Sequence, residues 1–257
     1  QTWYWRIRSV EDGFAGEWTT AVSFEFDTRP DLSTPSDAET LQDPGVTYDW
    51  TGGYTNGLVD LQVATDSGFT DIVLDESGMN GTTTTLDQTG APLSDGTYYW
   101  RVRATSSNGS SFVGDWSVAR SFTIDGRATG LSPSGTFFGF DPTLSWTAPF
   151  TGADYLVEIT TSDDTSFANA GMYPGTGSDP ANAITGTSYS LSAGSEVLSD
   201  GDYIFQITTV DTRGSNTYVS TPAQGSFTID ANPTSLTTSG TLQTMQPSID
   251  WSAPADV

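Results

Sequence analysis

The chain has 257 residues and a formal net charge of −24, from 32 acidic and 8 basic side chains, and it contains no His and no Cys. All eight basic residues are arginines, so lysine is also absent. These absences exclude Ser–His and Cys–His nucleophile pairs, zinc and haem sites built on imidazole or thiolate, and Schiff-base chemistry. The negative charge disfavours nucleic acid and anionic membrane surfaces as partners.

The first predicted strand belongs to an internal repeat. Residues 3–10 read WYWRIRSV, and the pattern returns at 98–105 (YYWRVRAT) and 203–210 (YIFQITTV). Anchored on Trp5, Trp100 and Phe205, the spacings are 95 and 105 residues. Two further markers agree: SFEFD at 23–27 returns as SFTID at 121–125 and 226–230, and an apolar-flanked Trp recurs at positions 50, 146 and 251. Three markers on one period indicate tandem modules.

Within a module the pattern predicts β-strands throughout. Tyr98, Trp100 and Val102 alternate with Arg101 and Arg103, which is the period of a strand buried on one face. Turn residues follow at 51–53, 66–68, 94–96 and 199–201. Several short strands in about 100 residues predict an all-β chain of tandem antiparallel sandwiches.

The order of these segments resembles a known family. Trp50 is followed by LVDLQVATDSGF (58–69), LSDGTYYWRVRAT (93–105) and GDWSVARSFTID (114–125). This order resembles the fibronectin type III-like, immunoglobulin-like β-sandwich modules of microbial extracellular surface or filament proteins. The resemblance covers the whole chain. It implies a strand B tryptophan, a strand C, a tyrosine corner before strand F, and a strand G.

The register of the repeat predicts two complete modules and two halves. The complete modules are residues 29–126 and 127–231, the second with an inserted loop at 168–188. Residues 1–28 correspond to strands F and G, and residues 232–257 to strands A and B. Since a half-sandwich leaves an apolar face bare, we expect these residues to be part of a longer polypeptide. The alternative is that the terminal halves of neighbouring chains complete one another.

All eight tryptophans fall on repeat positions, which favours framework roles over ligand stacking. Trp18 and Trp116 share the start of strand G, next to outward arginines of strand F. The pattern predicts a cation–π ladder in each copy, formed by Arg6, Arg8 and Trp18, and by Arg101, Arg103 and Trp116. The third copy has Gln206, Thr208 and Thr221 at these positions, so both partners are lost together.

Asp outnumbers Glu by 25 to 7, and we interpret most of these carboxylates as turn residues. Ca²⁺ held between modules by Asp27, Asp125 and Asp230 stays an alternative, although no calcium-loop motif supports it. No catalytic residue, resident cofactor or metal ligand is otherwise predicted. A pair of glycosidase carboxylates is disfavoured because no Glu residues face one another on neighbouring predicted strands.

Two departures from the repeat are candidate partner contacts. The insertion carries Tyr173 at its predicted tip, and Phe138 belongs to a run of three aromatic residues in four. Asn80 and Asn108 begin triplets that match the glycosylation acceptor pattern.

The sequence therefore predicts a non-enzymatic segment of a long, secreted or cell-surface protein, acting as a stalk, adhesin or polymerising filament. Expected partners are copies of itself, other surface proteins or polysaccharide, without membrane insertion. The acidic, lysine-free composition suits a saline source. The alternative function is a spacer or carbohydrate-binding segment of a secreted polysaccharide-acting enzyme.

Overall fold

The computed structural model describes residues 2–25, 27, 29–51, 57–80, 85–106, 112–168, 170–173, 180–191, 198–232, 235–236 and 251–252. The described chain divides into two compact units. The first comprises residues 1–39, 47–87 and 97–122, and the second comprises 40–46, 88–96 and 123–257. The module boundaries that the repeat suggests stay a prediction.

The N-terminal residues form short ribbons. Their strands are β1 (Thr2–Trp5), β2 (Val10–Glu11), β3 (Phe14–Ala15) and β4 (Val22–Glu25). Strand β1 pairs antiparallel with β4, and β2 pairs with β3. Trp3 and Trp5 are 53% and 52% exposed. Both rings are therefore half exposed rather than packed in a core, because no second sheet covers the ribbon among the described residues.

Residues 31–124 contain two β-sheets. Their strands are β5 (Asp31–Thr34), β6 (Glu39–Leu41), β7 (Val46–Thr51), β8 (Gly57–Ala64), β9 (Ile72–Asn80), β10 (Thr85–Gln88), β11 (Gly96–Ser106) and β12 (Arg120–Ile124). One sheet has the order β10-β7-β5 and the other β6-β12-β11-β8-β9. These correspond to strands E-B-A and G-F-C-C′ of a fibronectin type III-like sandwich, with β6 added beside strand G.

Residues 129–229 repeat this arrangement. Their strands are β13 (Thr129–Ser132), β14 (Gly135–Phe137), β15 (Thr143–Thr147), β16 (Asp154–Thr161), β17 (Gly171–Tyr173), β18 (Ile184–Thr185), β19 (Ser188–Ser190), β20 (Gly201–Arg213), β21 (Asn216–Val219) and β22 (Ala223–Ile229), with a 3-10 turn at Pro180–Asn182. The sheets are β13-β15-β19 and β14-β22-β20-β16-β17, with β18 beside β16 and β21 beside β20. Farther along, β23 (Ser235–Leu236) pairs with β24 (Trp251–Ser252).

Each sandwich has an aromatic core on matching positions. Tyr98 stacks on Phe122 with ring centroids 5.6 Å apart, and Tyr203 stacks on Phe227 at 5.7 Å. Trp50, Trp100 and Trp146 are all at most 5% exposed. The hydroxyl of Tyr203 donates to the carbonyl oxygen of Ser199 at 3.0 Å, which is the tyrosine corner that the resemblance implies. The alternation of apolar and polar residues along strand F thus places its apolar face in the core.

Candidate functional site: the arginine and tryptophan stacks

A cluster of arginine and aromatic side chains lies on the polar face of the β8–β11 pair. Because successive side chains of a strand point to opposite faces, Arg101 and Arg103 both point away from the core that holds Trp100 and Val102. The Cζ atoms of both arginines lie 4.3 Å from the ring centroid of Trp116. The structure therefore brings together the three residues that the repeat pattern associates.

A buried carboxylate binds Arg103, one of the two stacked arginines. Strands β8 and β11 pair so that Arg103 lies directly opposite Asp60. The Nε and Nη2 atoms of Arg103 both lie 2.9 Å from Oδ2 of Asp60. Oδ1 of Asp60 accepts a hydrogen bond from the backbone N–H of Gly78 at 3.0 Å. A carboxylate that is 8% exposed thus has hydrogen-bond donors on both oxygens, as burial of a charge requires.

Arg101, the other stacked arginine, contacts a neutral side chain and a second aromatic ring. Arg101 lies opposite Gln62 and donates to its Oε1 from Nη2 at 2.7 Å and from Nε at 3.2 Å. The Cζ atom of Arg101 also lies 3.8 Å from the ring centroid of Phe69. Burial, followed by the positive charge of Arg103, lowers the pKa of Arg101 from its usual value. The guanidinium of Arg101 therefore contacts two aromatic rings and is partly desolvated.

The segment that carries Trp116 is fixed by hydrogen bonds rather than by a regular strand. The backbone N–H of Ser117 donates to the carbonyl of Val102 at 2.8 Å, and the N–H of Val102 donates to Oγ of Ser117 at 3.1 Å. The N-terminal copy repeats this reciprocal pair between Thr19 and Ile7, at 2.9 and 3.2 Å. A hydroxyl directly after the tryptophan is thus a second element of the pattern, and the sequence reasoning missed it.

The N-terminal copy contains the same stack without the carboxylate. The Cζ atoms of Arg6 and Arg8 lie 4.5 and 4.7 Å from the ring centroid of Trp18. In the described part of the chain, neither arginine forms a salt bridge, and Trp18 is 44% exposed. Among the described residues, the two copies therefore differ in whether a carboxylate binds one of the stacked arginines.

In the third copy Gln206 and Thr208 occupy the strand positions of the two arginines. Gln206 lies opposite Glu158 across β16 and β20. Its side-chain nitrogen donates to the Glu158 carboxylate, and its Oε1 accepts from Nε2 of Gln224 at 3.3 Å. The row of polar contacts across the sheet is thus kept where the arginines and the tryptophan are replaced.

The strand-end carboxylates considered for Ca²⁺ are held by side chains two residues later. Asp27 forms a two-point contact with the guanidinium of Arg29, and Asp125 does so with Arg127. Hydrogen bonding to Arg127 lowers the pKa of Asp125, and hydrogen bonding to Arg29 lowers that of Asp27. At Asp230 an amide of Asn232 takes the place of the arginine, at 2.7 Å. The described residues contain no cluster of three or more carboxylates suited to a metal ion.

The predicted contact residues are placed as follows. Phe138 is half-buried at a bend after β14, and the preceding Phe137 packs against the core. Tyr173 lies in β17, where its backbone is paired opposite Val157, so it does not form the tip of an irregular loop; its side chain lies outside the described residues. Asn80 ends β9. Gly81 and Thr82, which complete its triplet, and Asn108 lie outside the described residues.

No helix in the described ranges has the length and apolar character to span a membrane. No family model and no curated protein matches the sequence. Similar solved structures include the FN1–FN3 domains of chicken CNTN1, at 13% identity over 88% of this chain and 74% of that chain, with a TM-score of 0.28. The chicken interferon gamma receptor alpha chain is similar at 12% identity over 76% of this chain and 97% of that chain, with a TM-score of 0.29.

Proposed function

We propose that this chain is a non-enzymatic structural segment of an extracellular surface protein, acting as a stalk, an adhesin or a filament. The observation that carries the proposal is the repetition of one sandwich along the chain, each copy with its own buried aromatic core. The stacked pairs Tyr98–Phe122 and Tyr203–Phe227 occupy equivalent positions. Modules that fold around separate cores can be joined in series to span distance, which suits a spacer or a fibre subunit.

The charge distribution supports a scaffold rather than a catalyst. A general acid in a glycosidase needs a carboxyl group whose pKa is raised. Hydrogen bonds from backbone or side-chain donors instead lower the pKa values of the carboxyl groups of Asp37, Asp66 and Asp125. Such groups stay ionised and stabilise turns and strand ends, and an acidic surface favours solubility outside the cell.

Force spectroscopy and electron microscopy of the full 257-residue chain test this proposal. Stretching single molecules should give two main unfolding events, each releasing about 330 Å of chain, because a sandwich of roughly 100 residues extends by about 3.3 Å per residue. Ordered fibres with a repeat of a few modules, seen in native material, would support the filament role. Turnover of a polysaccharide by this chain, or unfolding in a single featureless event, would contradict the proposal.

A glycan-binding measurement distinguishes the alternative. A carbohydrate-binding segment should migrate more slowly in affinity electrophoresis through a gel that contains a soluble polysaccharide. Replacing an exposed ring such as Trp18 should abolish this retardation. A scaffold should migrate unchanged in every polysaccharide tested.

A further inference from the structure

The second compact unit contains a polar contact that the repeat pattern does not predict. Its central residue is Asp95, in the turn that precedes β11. Oδ1 of Asp95 accepts hydrogen bonds from the backbone N–H of Gly126 at 3.1 Å and from the hydroxyl of Tyr218. Oδ2 accepts from the backbone N–H and the hydroxyl of Thr221, at 2.8 and 2.7 Å. One carboxylate thus receives four donors from residues up to 126 positions away.

A second group of contacts lies in the same unit. The guanidinium of Arg213 donates to Oδ1 of Asp43 at 2.6 Å and to the carbonyl of Thr89 at 2.8 Å. The side-chain amide of Asn216 donates to the carbonyl of Gly90 at 2.9 Å. Segments 40–46 and 88–96 therefore contact residues 213–221 through charged and neutral hydrogen bonds, of which the charged ones are the stronger.

Close packing supports these contacts independently of the hydrogen bonds. A Cβ atom at Gly126 would lie 2.3 Å from the Tyr218 hydroxyl oxygen, and one at Gly45 would lie 2.0 Å from Nη1 of Arg213. A side chain at either position would therefore force the neighbouring atoms to shift. Tyr218 is 3% exposed, and burial together with the Asp95 carboxylate raises its pKa well above the usual value.

The residues that form these contacts correspond to residues with different contacts in the preceding copy of the repeat. Thr221 corresponds to Trp116, and Tyr218 corresponds to Val113, each 105 residues earlier. Where the preceding copy stacks a tryptophan on two arginines, this copy donates two hydrogen bonds from Thr221 to Asp95. The loss of the stack is therefore accompanied by a new contact at the same strand positions.

We propose that Asp95 is the centre of a clasp, formed with Asp43, Arg213, Tyr218 and Thr221, that holds segments 40–46 and 88–96 on residues 123–232. Because of the clasp, segments 40–46 and 88–96 open and close together with the residues that they contact. Tension on these segments is therefore transmitted to those residues. This inference goes beyond the proposed function and stands on the contacts alone, whether the chain acts as a stalk, an adhesin or a filament.

The test is hydrogen exchange of the full chain, with a matched control at the equivalent position of the next copy. Asp200 lies 105 residues after Asp95 and accepts a hydrogen bond from the backbone N–H of Ala231 at 2.9 Å, the counterpart of the Gly126 contact. Asp95→Asn should accelerate amide exchange at 40–46 and 211–221 on the order of tenfold or more, because it removes charged hydrogen bonds. Asp200→Asn should leave exchange in both segments unchanged. Equal effects of the two variants, or no acceleration at 211–221, would overturn the clasp.

A double-mutant cycle keeps the proposal testable if one variant folds poorly. Thr221→Val preserves the shape of the side chain and removes its hydroxyl. In the clasp, Asp95→Asn and Thr221→Val should be non-additive in the midpoint of chemical denaturation, since they share one interaction. Additive effects of the two substitutions would sink the proposal.

Discussion

Arg103 lies directly opposite Asp60 on paired strands, so that one guanidinium contacts a buried carboxylate and a tryptophan ring at once. The salt bridge measures 2.9 Å, and the distance from Cζ to the Trp116 ring centroid is 4.3 Å. The carboxylate fixes the plane of the guanidinium, and a fixed plane favours stacking on the indole. The two interactions therefore depend on one another.

Replacing Asp60 by Ala should lower the free energy of unfolding by about 1–3 kcal/mol, because it leaves a partly buried arginine without its carboxylate partner. Chemical denaturation followed by tryptophan fluorescence measures the change. Asp75→Ala is the matched control, since Asp75 is exposed and meets Gln62 through a weak contact of 3.4 Å. An equal loss in both variants would show that surface charge, rather than the buried pair, sets the effect.

Trp116→Ala should also destabilise the chain, since it removes the ring that both Arg101 and Arg103 contact. We expect a loss of about 1–3 kcal/mol from lost burial and cation–π contact, seen as a lower melting temperature. Trp18→Ala removes an equivalent but 44% exposed ring and should have a smaller effect. An unchanged melting temperature for Trp116→Ala would mean that the stack is not structural.

The sequence predicts the faces of this fold better than its contacts. Alternation along residues 98–104 correctly assigns Trp100 to the core, because period-two patterns depend only on local geometry. Alternation does not reveal that Asp60 is buried opposite Arg103, since the partner depends on the register between strands far apart in the chain. Local alternation reveals still less of the contact between Asp95 and Tyr218, because the two residues are 123 positions apart in the chain.

Asp66 should make the first unit sensitive to acid. Its carboxylate accepts hydrogen bonds from the backbone N–H groups of Gly68, Thr70 and Asp71 at 2.8–2.9 Å. These bonds, that of Asp71 first, lower the pKa of Asp66 in the folded state. A lowered pKa adds stability above the unfolded value of about 3.9, and this stability is lost as the pH falls further. Asp66→Asn should therefore reduce the melting temperature at pH 6 more than at pH 2.5; a difference independent of pH would contradict the assignment.

Gly126→Ala should destabilise the second unit by about 1–3 kcal/mol, because the added methyl group meets a buried ring that cannot move freely. Its Cβ would lie 2.3 Å from the hydroxyl oxygen of Tyr218 and 2.9 Å from Cζ. Gly90→Ala is the matched control: it has open space around its Cβ position, and fewer unfolded conformations make it neutral or slightly stabilising. Adding Tyr218→Phe to Gly126→Ala removes the closest atom and should recover part of the loss in thermal denaturation. If both glycine variants melt together, the close approach of Tyr218 to Gly126 does not exist in solution.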